Sequence, residues 1–72
     1  MELRLANQTR SGAEVQLWPM EWRALITALP RGPDGRRIAA VIQAAPLEET
    51  QPVRIAFGTR DLDVIEMAAA QV

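Results

Sequence analysis

The stretch Leu17-Trp18-Pro19-Met20-Glu21-Trp22-Arg23-Ala24-Leu25-Ile26-Thr27-Ala28-Leu29 holds both tryptophans and restricts the fold more than any other part of the chain. Trp22, Leu25, Ile26 and Leu29 recur at i, i+3, i+4 and i+7, which places four large apolar groups on one helical face. Pro19 suits the first helical position, because the N–H it lacks would have no partner there and its fixed φ already fits a helix. Trp18 precedes that proline and is pushed toward an extended backbone, so whatever comes before ends at it. Pro30 bars continuation. The pattern predicts a helix over residues 19 to 29 that carries the core stripe.

Upstream, Leu3 and Leu5 alternate with Glu2 and Arg4, and Ala13, Val15 and Leu17 alternate with Glu14 and Gln16. Both segments have the period of a half-buried strand. Turn formers fill residues 7 to 12, so the two segments are expected to pair as a hairpin with a loose loop. A two-stranded ribbon does not persist alone in water, and its apolar face needs a cover, for which the helix over 19 to 29 is the nearest candidate.

Downstream, Pro30-Arg31-Gly32-Pro33-Asp34-Gly35 reads as a turn, with Asp34 able to cap a second helix. Ile38, Val41, Ile42 and Ala45 again follow helical spacing, which favours a helix from about Gly35 to Ala45 over a buried strand, and Pro46 ends it. Residues 46 to 52 form a linker bracketed by prolines. Val53, Ile55 and Phe57 alternate with Arg54 and Ala56 and predict a third strand, closed by Gly58. Thr59 or Asp61 can cap a last helix whose stripe is Leu62, Ile65, Ala69 and Val72; a hairpin of residues 62 to 67 against 53 to 57 is the alternative. The order β-β-α-α-β-α describes one small α+β domain over residues 1 to 72. It is a two-layer sandwich in which helices cover one face of a three-stranded, mainly antiparallel sheet. The other face then presents Glu2, Arg4, Glu14, Gln16, Arg54 and Trp18.

Composition matters here chiefly for what it excludes. Of 72 residues none is His, Cys, Tyr or Lys, which removes the usual general base, the thiol and amine nucleophiles and the commonest transition-metal ligands. The one serine, Ser11, sits in a turn that explains it. An enzyme would have to work with carboxylates and arginine alone, so catalysis is not expected, and no cofactor or metal is implied. Asp61, Asp63 and Glu66 lack the spacing of an ion-binding loop and are explained as acidic groups near a helix N-terminus. The chain has no cysteine to form disulfides, no apolar run long enough to span a bilayer and no leader-like start, so the cytoplasm is the expected compartment and a membrane is not an expected partner. Twelve of the 35 hydrophobic residues are Ala, which leaves a thin core, and a monomer and a homodimer are both compatible with it.

Two features point to a partner. Arg31, Arg36 and Arg37 cluster around the central loop, and the last two fall in the first turn of the expected second helix, where cations oppose the helix dipole. Such a conflict invites an anionic partner, whereas solvation of a loop, with Asp34 offsetting part of the charge, explains it without one. Trp18 falls on the polar side of its strand while Trp22 lies in the helical stripe. An exposed tryptophan is a frequent interface anchor, and a Trp that folds back onto its own helix is the simpler alternative. The expected function is therefore that of a non-enzymatic protein-binding module using Trp18, Arg31, Arg36 and Arg37. Small adaptors, antitoxins and the inhibitors that mobile elements carry against host machinery, anti-CRISPR proteins among them, belong to this class. The alternatives are a small nucleic-acid-binding regulator using the arginine loop, disfavoured by a net charge of −1, and a self-assembling structural subunit.

Overall fold

The structure, a computed structural model, describes residues 14 to 72. It consists of β1 (Glu14–Leu17), α1 (Pro19–Ala28), α2 (Pro33–Ala44), β2 (Val53–Ala56) and α3 (Thr59–Ala69). The expected strand over residues 1 to 6, and the loop joining it to the next, lie outside the described residues. Within them the fold is α+β, with three helices and a two-stranded antiparallel sheet.

β1 and β2 pair in the register Glu14 with Ala56, Val15 with Ile55, Gln16 with Arg54 and Leu17 with Val53. The alternation read from sequence sorts the two faces. Val15, Leu17 and Ile55 point into the core, while Glu14, Arg54 and Ala56 are exposed. Helical stripes close over the inner face with Trp22 and Leu25 of α1, Ile38 and Ile42 of α2, and Leu62 and Ile65 of α3, all fully buried. At about 25 cal/mol per Å² of apolar surface, burying each such side chain is worth roughly 1.5–3 kcal/mol. Trp22 also ties helix to sheet: its Nε1–H donates to the Val53 carbonyl at 3.2 Å, and its ring lies 6.2 Å from that of Phe57. A buried indole needs such an acceptor for its polar end.

Two helix starts differ from the sequence expectation. α2 begins at Pro33, not at Gly35, and its N-cap is Gly32 with extended φ and ψ; Asp34 lies within the first turn and does not cap. Pro-Asp-Gly is therefore helix rather than turn. The proline's fixed φ is as well matched to the first helical position as to a turn, and packing selects the helix. Gly35 shows why. It is buried against the preceding loop, and a Cβ added there would lie 1.8 Å from the Pro30 carbonyl oxygen, so only glycine lets the helix start this close to Pro30. In α3 the N-cap is Gly58, and Thr59 and Asp61, both expected as caps, occupy the first turn instead. Of the segments for which a strand was the alternative, residues 36 to 44 and 62 to 67 are helical, and Ala45 is the extended C-cap of α2.

Candidate interaction surface

Trp18 is the hinge between β1 and α1. Its backbone is extended, with φ −73° and ψ 155°, as the following proline dictates. Three hydrogen bonds fix it. The Trp18 N–H donates to Glu21 Oε1 at 2.8 Å, and the Trp18 carbonyl accepts from the N–H groups of Glu21 and Trp22 at 2.9 and 3.0 Å. Glu21 thus satisfies the N-cap amide as the second half of a capping box would. The indole continues the outward set of β1 beyond Glu14 and Gln16 and is 48% exposed. Met20, one residue into α1, is 63% exposed beside it in sequence. On the same outer face of the sheet, Arg54 Nε donates to Gln16 Oε1 at 2.9 Å, which aligns the cross-strand pair.

The three arginines separate into two kinds. Arg37 bridges two helices: Nη1 donates to Asp61 Oδ2 at 2.8 Å and Nη2 to Asp34 Oδ1 at 2.9 Å. Asp61 is buried, and the hydrogen bond that Arg37 donates to its carboxylate, followed by the one it donates to Asp34, holds the Arg37 guanidinium above its ordinary pKa. For Arg37 the charge conflict at the start of α2 is thereby answered from within the chain. Arg36 and Arg31 remain exposed, joined by one bond from Arg36 Nε to the Arg31 carbonyl at 3.2 Å. Trp18 precedes α1 and Arg31 follows it, so the ten residues of α1, spanning ~15 Å at 1.5 Å per residue, stand between them. The fold does not join Trp18 and the arginines into one site.

Sequence reading had passed over Met20 and Met67, which is 72% exposed. The signal was present: each lies about 160° from the middle of its helix's apolar stripe, where a large apolar side chain has no core to enter. The Arg37–Asp61 pair carried no such signal.

Among the described residues no cluster of three or more His, Cys, Asp or Glu is placed to hold a metal ion. Among the same residues no helix is long and apolar enough to cross a membrane. No protein-family model matches the chain, and neither a curated protein nor a solved structure is significantly similar to it.

Proposed function

We propose that this protein is a non-enzymatic protein-binding module that acts by stoichiometric contact, as an inhibitor or adaptor does, with Trp18 as its anchor and the cytoplasm as its compartment. The half-exposed indole on a hydrogen-bonded backbone carries this reading. A large aromatic side chain whose main chain is already ordered loses little entropy on docking, and tryptophans of this kind dominate interface energetics. Met20 and the aligned Gln16–Arg54 pair supply an apolar neighbour and a polar rim. Arg31 and Arg36 form a separate cationic contact that would favour an acidic protein surface. The nucleic-acid reading, which used Arg31, Arg36 and Arg37, is weakened because the Arg37 guanidinium already serves two carboxylates, leaving two of that cluster for phosphates.

The test is affinity capture with tagged wild-type and Trp18→Ala chains, with and without nuclease, followed by calorimetric titration of the purified retained protein. Nuclease-resistant retention is expected, with defined stoichiometry and a loss of at least ~30-fold in affinity for Trp18→Ala, the range of an interface hot spot. Retention that disappears with nuclease would instead support a nucleic-acid-binding regulator, and unchanged affinity for Trp18→Ala would remove the indole from the interface.

A further inference from the structure

Arg23, Arg37 and Arg54 are each held by another side chain, and Arg54 differs from the other two. Arg23 pairs with Glu49, and Arg37 with Asp34 and Asp61, so each of these cations meets opposite charge. Arg54 is exposed, and among the described residues its side-chain partner is the neutral amide of Gln16, which accepts from Nε at 2.9 Å. That bond fixes the plane of the guanidinium and leaves its Nη edge, with the whole positive charge, on the outer face of the sheet. Trp18 continues the same outward set. It lies two residues beyond Gln16, so the indole is rooted about 7 Å along the strand from the Gln16–Arg54 pair.

We infer that the partner of this surface is a protein segment that presents a carboxylate to the Nη edge of Arg54 and an apolar side chain to Trp18. The inference rests on Trp18 as the anchor and names what its partner carries. A carboxylate matches the planar fork of a guanidinium with two parallel hydrogen bonds, which gives direction as well as strength. Because Gln16 already orders the side chain, docking costs Arg54 less rotamer freedom than it would cost a free arginine. The two contacts also set a spacing. In an extended segment, residues two apart point the same way and are separated by about 7 Å, the distance between the two features here.

The surrounding charge selects a single carboxylate over a phosphate chain. Glu14 is exposed on the same outward set beyond Gln16, and the Glu21 carboxylate sits at the Trp18 N–H. A nucleic acid would bring successive phosphates against both, whereas one Asp or Glu meets Arg54 between them.

Random dodecamer peptides displayed on phage and selected on the immobilised full chain test this directly. The expected result is enrichment of peptides that carry Asp or Glu close to a large apolar residue. A synthetic peptide of the enriched sequence should bind Arg54→Gln at least ~10-fold more weakly, the loss of a charge-assisted hydrogen bond, and its salt dependence should flatten in that variant. Arg54→Lys, which keeps the charge without the fork, should fall between the two. Far-UV circular dichroism should be unchanged in both variants, because the side chain is exposed. Enriched peptides that lack acidic residues, or no enrichment at all, would overturn the assignment. Binding that needs Trp18 but not Arg54 would overturn it while leaving the anchor in place, and binding that needs Arg54 but survives Trp18→Ala would remove the anchor and this pairing with it. Displacement of the peptide by a random-sequence oligonucleotide, dependent on Arg54, would assign the guanidinium to phosphate instead.

Discussion

Trp18 and Trp22 are four residues apart, a spacing that would stack them on one face of a continuous helix, yet one is 48% exposed and the other fully buried. The difference lies in the backbone. Residue 18 is extended and obeys the two-residue alternation of β1, whereas residue 22 is helical and obeys the period of α1. Pro19 imposes the change between them. One substitution in the chain's geometry thus turns two identical side chains to opposite uses, one closing the core between helix and sheet, the other left on the surface. The two regions also differ in what holds them. Trp22 is held by packing and by the Val53 carbonyl, whereas the hydrogen bonds that fix Trp18 are made by its main chain.

The largest effect should follow from breaking the buried member. Trp22→Ala is expected to cost about 3–5 kcal/mol in denaturant unfolding, close to the whole stability of a domain this small. Trp22→Phe should lose less, its cost combining the cavity left by the smaller ring with the lost hydrogen bond to the part-buried Val53 carbonyl. Next comes the junction. Glu21→Ala removes the acceptor of the Trp18 N–H and should cost ~1 kcal/mol, as loss of a helix cap does, while weakening partner binding by loosening the indole's base. Trp18→Ala itself should cost only about 1 kcal/mol, well below Trp22→Ala, since roughly half of the residue stays exposed. A large loss there would mean that Trp18 belongs to the core, and the contrast between the two residues would collapse.

The smallest effect concerns Arg23, the neighbour of Trp22 on the outer side of α1, which pairs with Glu49 of the linker. The hydrogen bond from Arg23 holds the Glu49 carboxyl below its ordinary value of 4.5. A carboxyl depressed in the folded state stabilises it above the unfolded pKa, and this contribution is lost as pH falls through the folded pKa. Both side chains are more than half exposed, so screening keeps the contribution small. The melting temperatures of wild type and Arg23→Gln should differ slightly near pH 7 and converge by about pH 3. A difference that grew on acidification would reverse the assignment.

Much of the fold was legible because its signals are local. Pro19, Pro30, Pro46 and Gly58 punctuate the elements, and the stripes led by Trp22, Ile38 and Leu62 fix which helix faces turn inward, except that Val41 of the second stripe stays 41% exposed. The start of α2 was misread because Pro33-Asp34-Gly35 suits a turn and a helical first turn equally well; the carbonyl of Pro30 pressed against Gly35 decides between them. For the candidate surfaces, Trp18 was legible from alternation, but the fate of each arginine was not. Arg36 and Arg37 are neighbours of the same type, and only Arg37 meets Asp61, a residue 24 positions away.

The sequence by itself determined where backbone geometry changes and which side chains must leave water, since both depend on residues a few positions apart. Tertiary structure alone decided that β1 pairs with β2 across 38 residues at Gln16 and Arg54, that Asp61 pairs with Arg37, and that α1 and α3 leave a groove lined by small side chains beside Met67. These are relations between distant segments. They arise only when burial of the stripes has fixed how the helices lie against one another, and no local period in the chain encodes them.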